Sequence, residues 1–384
     1  MKILQIHNKY NLYGGEDFVV NEEKKNLENN GHKVYQFFKD NKEITTTLNL
    51  LNFLIKKIFK LHFFEYKKIK SIILDNKIEV VHFHNIFPQI TDDYFKLIKS
   101  LNIPIVMTLH NYRINCINGS FFRRNNICEI CIKKPKILSI QKKCFQNSYI
   151  KSMFNFFLIS RRKFRFNFHN YIDRFIVFSE FHKNIYITMG IPENKIYIKS
   201  NFINDQIYNA RENRNSNFLF IGRTDIAKGI DSILDFWIKN HEFSIDIVGQ
   251  DTSNLQKKYL LYKNIKFYGH QASIKVKSFL NTSKILIFPS LWHEGFPITI
   301  IQAAESGIPI LASNKGILPE IIIHQKTGLI YDPDIKGDFE VKAKWMIDNY
   351  SKCLTYAKEN RKLFEVKFNK KVNLENLLSI YDFK

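Results

Sequence analysis

The chain has 384 residues, which is long for one compact domain and favours two. Hydrophobic residues make up 45% of it, and no apolar run approaches the roughly 20 residues of a membrane-spanning helix. The first residues offer no signal peptide, so we expect a cytosolic protein whose five cysteines are thiols or metal ligands rather than disulfides. The net charge of +22 attracts nucleic acid, acidic lipid surfaces or phosphorylated small molecules, without choosing among them.

Strand-like apolar runs alternate with amphipathic helical stretches, which predicts parallel sheets built from β-α-β units. The predicted strands are Ile3–His7, Val34–Phe38, Val80–His84, Ile105–His110, Phe175–Ser179, Phe218–Gly222, Ser244–Gly249, Ile265–Tyr268, Ile285–Pro289 and Ile308–Ala312. Helices are predicted between them, for example over Phe18–Asn30, Ile230–Lys239 and Ile298–Ser306.

The polar segment 200–217 is the natural linker, because it is rich in Asn and Arg and shows little periodicity. We therefore predict a first domain over 1–199, a second over 218–365, and a helical segment over 366–384 that packs back on the first domain. Both domains are predicted to be doubly wound α/β, facing each other across a cleft with ligands at the carboxyl ends of strands.

Three places in the first half carry polar groups after strands. Gly14, Gly15 and Glu16 follow the first strand and precede a helix, although a glycine pair alone is typical of a turn. His82 and His84 alternate on the third strand, and one of them is expected to point toward the cleft. His110 closes the fourth strand and is followed by Asn111; a lone histidine there is usually structural, yet strand ends are where such folds place ligands. No P-loop or G-x-G-x-x-G pattern occurs, which counts against an ATPase or an NAD enzyme.

Cysteines cluster in the insertion that follows. Cys116, Cys128, Cys131 and Cys144 lie within about thirty residues and include one C-x-x-C pair. They could close a tetrahedral zinc site, which would be structural because four cysteines leave no open position. The alternative is four reduced thiols.

Two stretches of the first half are basic and apolar together. The segment Ile130–Ile172 carries ten Lys and Arg, no Asp or Glu, and interleaved Phe, and Leu50–Leu61 is a basic amphipathic stretch. Such surfaces suit an anionic membrane interface. The alternative is that the Phe residues are core and the cations a solvated face.

The second half contains the most informative loops. Arg223 and Lys228 follow the strand Phe218–Gly222, where taken alone they would be ordinary surface cations. A buried strand ends at Pro289, a loop then carries Glu294 beside Gly295, and a helix begins near Pro297. Glycine allows backbone N–H groups to approach a ligand, and a helix N-terminus favours phosphate. Glu294 is placed to accept hydrogen bonds from sugar hydroxyls, with capping of the following helix as the alternative.

This loop resembles the signature of family 4 (group 1) of the retaining glycosyltransferases. That pattern is Glu-Gly-Phe followed by Gly or Pro, a second Glu eight residues after the first, and a turn ending Gly-x-Pro. The matched positions are Glu294, Gly295, Phe296, Pro297, Ala303, Gly307 and Pro309. Gln302 stands where the second Glu is expected, and Glu305 comes three residues too late to replace it.

The resemblance implies a GT-B fold of two facing Rossmann-like domains, an acceptor-side one and a nucleotide-sugar-binding one. It implies retaining transfer from an NDP-sugar donor to a glycan or lipid-linked acceptor in cell-surface polysaccharide biosynthesis, such as O-antigen, capsule or lipopolysaccharide. The departing diphosphate must be neutralised by a metal or by fixed cations. Because no DxD-type motif precedes such a site, the resemblance implies that no cofactor is required for catalysis.

The resemblance also implies a role for each matched residue. The implied roles are catalysis for Glu294 and His110, diphosphate binding for Arg223, Lys228, Gly14 and Gly15, donor sugar or nucleotide binding for Gly295, Phe296, Pro297 and Gln302, and the acceptor side for Glu16 and Asn111. In this reading the enzyme is cytoplasmic and could sit on the inner face of the cytoplasmic membrane.

Three alternatives remain open. An NDP-sugar epimerase or a sugar phosphorylase could use the same fold, because a fold does not determine a reaction. A catalytically weak binding protein is conceivable because of Gln302. A nucleic-acid-binding protein would explain the charge, but no recognisable nucleic-acid module occurs and the Glu294 loop would be left unexplained, so no nucleic-acid partner is expected.

Overall fold

The computed structural model describes residues 1–10, 14–44, 63–91, 93–134, 136–166, 168–203, 214 and 217–383, without the side chains of 44, 63, 64, 158, 161–166 and 168. The predicted amphipathic stretch Leu50–Leu61 and most of the predicted linker lie outside these residues. The chain divides into two compact units. One comprises Met1–Gly119, Glu129–Asn201 and Asn373–Lys384, and the other comprises Ser120–Cys128 and Phe202–Val372.

Short parallel strands alternate with helices up to residue 203. The elements are β1 Lys2–Lys9, α1 Gly15–Asn29, β2 Lys33–Asp40, α2 Phe63–Asn76, β3 Val80–Phe83, α3 Asp93–Ser100, β4 Ile105–Thr108, β5 Phe122–Arg123, β6 Asn126–Ile127, α4 Ile130–Lys133, α5 Leu138–Gln141, α6 Tyr149–Phe166, β7 Arg174–Val177, α7 Glu180–Thr188 and β8 Ile196–Ile198. Their sheet is parallel throughout, in the order β2-β1-β3-β4-β7-β8, while β5 and β6 form a separate antiparallel hairpin.

The same alternation continues from residue 217. The elements are β9 Phe218–Ile221, α8 Asp235–Lys239, β10 Ile245–Val248, α9 Leu255–Lys258, β11 Ile265–Gly269, α10 Ser273–Thr282, β12 Ile285–Phe288, α11 Ile298–Glu305, β13 Ile310–Ser313, α12 Leu318–Ile321, β14 Leu329–Tyr331, α13 Asp338–Asp348, α14 Tyr350–Lys367 and α15 Lys370–Tyr381. The second sheet is also parallel, in the order β11-β10-β9-β12-β13-β14.

The central strands are mostly apolar and buried on both faces, as parallel sheets covered by helices require. Two doubly wound parallel sheets confirm the predicted α/β class. In the second sheet the chain order reverses between β9 and β12, and in the first it reverses between β1 and β3. Ligands of such sheets bind outside the carboxyl ends of the strands where the order reverses, so the loops that follow these four strands are the expected ligand-binding loops.

Helix α15 belongs to the first unit from Asn373 onward, although it follows the second unit in the chain. Leu374, Leu377 and Ile380 on its buried face pack with Ile3 of β1 and Val80 of β3 in one core. Among the described residues, no helix combines the length and the apolar character needed to cross a membrane.

Candidate active site

Two loops of the second unit touch at the reversal between β9 and β12. Gly229 has φ +72°, and a Cβ there would lie 1.9 Å from the carbonyl oxygen of Pro289, so this position excludes any side chain. The backbone N–H of Leu291 donates to the carbonyl of Ala227 over 2.8 Å. These contacts fix the loop after β9 against the loop after β12.

The fixed loops bring Lys228 and Glu294 together. Lys228 Nζ donates to Glu294 Oε1 over 2.7 Å, and Ser290 Oγ donates to the same oxygen over 2.6 Å. The Glu294 side chain is only 6% exposed, whereas Lys228 retains 20%. The ammonium also lies 5.5 Å from the centroid of the Trp292 ring, within the range of a cation–π contact. The two residues therefore form one partly buried charged pair at the sheet edge.

Lys228 keeps N–H donors for a ligand, while Glu294 is held by the protein. An ammonium has three N–H donors. Among the described residues, Glu294 supplies the hydrogen-bond acceptor for Lys228, and the amine keeps some solvent exposure. Glu294 Oε1 accepts hydrogen bonds from Lys228 and Ser290, which belong to the loops. Helix α11 begins at Ile298 with Pro297 as its N-cap, so Glu294 is not the capping residue of that helix. Such a carboxylate is held in place rather than mobile on a surface.

Arg223 lies on the same loop but not in this pair. Its Nε is 3.0 Å from Asp225 Oδ2, and its side chain is 57% exposed. An exposed pair of this kind contributes little to stability. Most of the guanidinium thus stays available to solvent or to an anion.

The remaining predicted donor residues lie at the start of α11. Pro297 precedes the helix as its N-cap, and Gly295 is half-buried in the loop before it. Phe296 is buried, with its ring edge-to-face on Phe368 at 5.7 Å between centroids. Gln302 is half-buried on α11, and no contact described joins it to Lys228 or Glu294.

In the first unit, the predicted acceptor-side residues meet. Gly14 is the N-cap of α1, and its N–H donates to Asp17 Oδ2 over 3.0 Å, while Gly15 is the first residue of that helix. Asn111 Nδ2 donates to Glu16 Oε1 over 3.0 Å. Burial raises the pKa of Glu16, an effect that its hydrogen bond from Asn111 only partly offsets. Tyr13, the other residue of this glycine loop, lies outside the described residues.

His110, at the end of β4, is in contact with one of the two strand histidines. Its Nε2 lies 3.1 Å from His84 Nδ1, and the two rings are stacked with centroids 5.3 Å apart. Burial lowers the pKa of His110 well below its ordinary value, and the neighbouring His84 acts in the same direction. The imidazole is therefore neutral at physiological pH.

A buried carboxylate that sequence reasoning missed lies behind these histidines. Glu23 Oε1 is 3.2 Å from His82 Nδ1 and 3.5 Å from His84 Nε2, and Glu23 Oε2 is 3.2 Å from Lys199 Nζ. Glu23 and Lys199 are each 2% exposed. One sequence signal could have indicated this carboxylate. Glu23 occupies a position on the buried face of α1, where an amphipathic helix ordinarily has an apolar residue.

The four cysteines of the insertion do not gather into a metal-ligand cluster. Cys116 is buried, and Cys128, Cys131 and Cys144 are half-buried. In the part of the chain described here, Glu23, His82 and His84 form the one group of three or more His, Cys, Asp or Glu with ligand atoms all within 4.8 Å. The predicted structural zinc thus gains no support from the positions of the sulfurs.

Known structures identify the class of fold. HepE of Anabaena, solved in complex with UDP and glucose, superposes on this chain with a TM-score of 0.66 at 14% identity, covering 99% of both chains. At that identity the likeness concerns the fold alone, and the fold is that of the GT-B glycosyltransferases.

Sequence comparisons give the family. The model described as Glycosyltransferase Family 4 matches residues 13–207, just over half of the chain, and that of Glycosyl transferases group 1 matches residues 203–363. The chain belongs to glycosyltransferase family 4, as its Glu294 loop predicted, and is a glycosyltransferase. It is 26% identical over 322 residues to an uncharacterised glycosyltransferase of Methanocaldococcus jannaschii, covering 83% of this chain and 79% of that protein. It is 24% identical over 306 residues to the O-antigen biosynthesis glycosyltransferase WclY of Escherichia coli, covering 72% and 80%.

Proposed function

We propose that this enzyme transfers a sugar, with retention of anomeric configuration, from an NDP-sugar to a glycan or lipid-linked acceptor of a cell-surface polysaccharide. The observation that carries the proposal is the Lys228–Glu294 pair at the strand reversal of the second unit. It combines a cation suited to a phosphate with a fixed carboxylate suited to sugar hydroxyls. The name of the Escherichia coli relative, an O-antigen biosynthesis enzyme, supports the polysaccharide context.

The donor is proposed to bind through its diphosphate to Lys228 and Arg223. The exposed guanidinium and the remaining N–H groups of Lys228 supply positive charge where the leaving group becomes more negative. Gly14 and Gly15 at the N-terminus of α1 are proposed to add backbone N–H groups, on the family resemblance. That HepE was solved with UDP and glucose makes UDP-sugars the first donors to test.

Glu294 and His110 are proposed to hold the transferred sugar. The anomeric carbon–oxygen bond to the diphosphate breaks, the bond to an acceptor hydroxyl oxygen forms on the same face, and the hydroxyl proton passes to the departing phosphate oxygen. Gly295, Phe296 and Pro297 are proposed to shape the nucleotide side, with Gln302 hydrogen-bonding the ribose. Glu16 and Asn111, which contact each other, are proposed to face the acceptor.

The donor proposal is tested by thermal unfolding with a panel of UDP-, GDP- and dTDP-sugars. A donor that binds the folded state at 100 times its Kd stabilises it by about 2.7 kcal/mol, which raises the melting temperature measurably. Release of free nucleotide with a lipid acceptor extract then identifies transfer. If no nucleotide sugar shifts the unfolding transition, the proposal is wrong.

We also propose that the enzyme is cytoplasmic and that helix α6 contacts the anionic inner face of the cytoplasmic membrane. Ile150, Met153 and Phe157 recur along one face of this helix and are 75%, 44% and 60% exposed. The surrounding segment 130–172 has no acidic residue to repel anionic headgroups. An exposed apolar stripe beside a cationic segment matches the interface of a bilayer.

Vesicle sedimentation tests this surface. We expect binding to vesicles of phosphatidylcholine with phosphatidylglycerol at low salt, and loss of binding in Phe157→Ser. Val366→Ser, which removes a comparably exposed apolar side chain from α14, is the matched control and should bind like the unmodified protein. Equal binding by both variants, or none by the unmodified protein, would reject the proposal.

A further inference from the structure

A chain of polar contacts runs through the first unit from a buried carboxylate to His110. Glu23 on α1 faces His84 Nε2 at 3.5 Å, and His84 Nδ1 lies 3.1 Å from His110 Nε2. His110 Nδ1 makes no hydrogen bond to any described residue, so it is the open end of the chain. The arrangement links a group far from solvent to one that carries a proposed role in sugar binding.

The charge at the buried end is defined by its neighbours. Burial alone would raise the pKa of Glu23, but Lys199 and His82 outweigh it and hold the pKa well below its ordinary value. Glu23 is therefore an ionised carboxylate, which accepts hydrogen bonds and donates none. A lone pair on His84 Nε2 would face this anion and be repelled, so His84 carries its proton on Nε2.

The remaining proton positions follow in sequence. Burial, reinforced by His82, lowers the pKa of His84 to about 3, so the ring is neutral and has one N–H. With Nε2 protonated, His84 Nδ1 is an acceptor, and the nitrogen opposite it, His110 Nε2, must be the donor. Neutral His110 is then left with a lone pair on Nδ1.

We propose that Glu23 and His84 are positioning residues that fix His110 as its Nε2–H tautomer, so that Nδ1 accepts a hydrogen bond from a hydroxyl of the bound sugar. The benefit at the site rests on the proposed function, whereas the tautomer itself does not. Ring orientation is set by the same contact, because His84 stacks on His110 as well as bonding to it.

The same carboxylate and histidines have the spacing of a metal site, but both ring nitrogens of His82 are already hydrogen-bonded within the protein. His82 Nδ1 is 2.7 Å from Tyr381 Oη, and His82 Nε2 is 2.8 Å from Thr108 Oγ1. Lys199 supplies the positive charge that a metal would bring to Glu23. The hydrogen-bonded arrangement therefore accounts for the cluster.

Nitrogen NMR of protein labelled with ¹⁵N-histidine measures the tautomer directly, with the His110 signals assigned by their loss in His110→Gln. We expect an N–H shift for Nε2 and an unprotonated shift for Nδ1 in the unmodified protein. His84→Asn, whose side-chain oxygen can take the place of Nδ1, should retain this pattern, and His84→Phe should shift both signals toward an averaged tautomer. A proton on His110 Nδ1 in the unmodified protein, or unchanged His110 signals in His84→Phe, would overturn the inference.

Kinetics provide the second readout. We expect kcat to fall about tenfold in His84→Phe, the size of one neutral hydrogen bond, with a smaller change in the donor KM and recovery in His84→Asn. Tyr381→Phe removes the bond on the His82 side of the cluster and should leave both kcat and the His110 signals unchanged. If no transfer activity is found, the NMR measurement still determines the tautomer of His110. If the enzyme is active but His110 is not the Nε2–H tautomer, the positioning role of Glu23 and His84 is rejected and the proposed function is not.

Discussion

Replacing Lys228 with methionine keeps the apolar stem of the side chain and removes its charge. Glu294, only 6% exposed, would lose the cation that compensates its carboxylate. Breaking a buried pair from one side costs about 3–5 kcal/mol, and the partial exposure of Lys228 indicates that water recovers some of this, leaving about 2 kcal/mol. For a unit of this size that corresponds to a fall of roughly 4–8 °C in melting temperature.

The converse change should be milder. Glu294→Gln keeps the shape of the side chain and an oxygen for Ser290 and Lys228, and it leaves an ammonium that solvent can reach, so we expect a loss of about 1 kcal/mol or less. The double variant should be more stable than the sum of the two single changes by at least about 0.5 kcal/mol, since both charges are then gone.

Urea and thermal unfolding of the ligand-free variants provide the assay. Lys258→Met is the matched control, because Lys258 donates to Asp231 over the same 2.7 Å but the two side chains are 54% and 42% exposed. We expect that variant to lose less than about 1 kcal/mol. A Lys228→Met protein as stable as Lys258→Met, or a double variant that is simply additive, would refute the buried pair as the structural basis of the site.

Three further outcomes are expected. The pKa of His84, about 3, lies below its ordinary value, so folding favours the neutral form. The contribution of His84 to the free energy of unfolding should be fully present above about pH 6.5 and should fall, by up to about 1.4 kcal/mol per pH unit, as the pH drops toward 3. His84→Asn should make the urea midpoint less dependent on pH. Gly229→Ala should lower the free energy of unfolding by well over about 1 kcal/mol, because φ is positive there and the added Cβ would lie 1.9 Å from the carbonyl oxygen of Pro289. Gly15 is helical and an added Cβ would meet nothing within 4 Å, so Gly15→Ala should be neutral or slightly stabilising. Gln302→Glu should tighten nucleotide binding by up to about tenfold in calorimetry if this residue bonds the ribose, and an unchanged Kd would place it elsewhere.

Local sequence patterns were sufficient for the central strands and the Glu294 loop. Strands such as Ile285–Phe288 are continuous apolar runs of the length that a covered parallel sheet requires, and the motif around Glu294 is contiguous. The strands Ile196–Ile198 and Leu329–Tyr331 were missed because three residues carry no recognisable period. The predicted helix over 230–239 begins instead as a 3₁₀ turn, Ile230–Ile233, directly after left-handed Gly229.

The contacts within the candidate site were harder to predict. Lys228 and Glu294 were each expected to contact the donor, but their pairing depends on which strands are neighbours, and that is a property of the whole sheet. One of His82 and His84 was expected to point toward the cleft. Residues two apart along a strand share a face, and both rings lie near Glu23, which the sequence did not indicate. Glu23 itself carries no local motif.

The membership of α15 in the first unit has a consequence for biosynthesis. Leu374, Leu377 and Tyr381 complete a core whose strands precede them in the chain and therefore leave the ribosome earlier. Domains generally fold in the order of their synthesis, but here the first sheet must wait, with part of its apolar face uncovered, until α15 is translated. We therefore expect the second unit to reach its native state first on the nascent chain, although its sequence comes later.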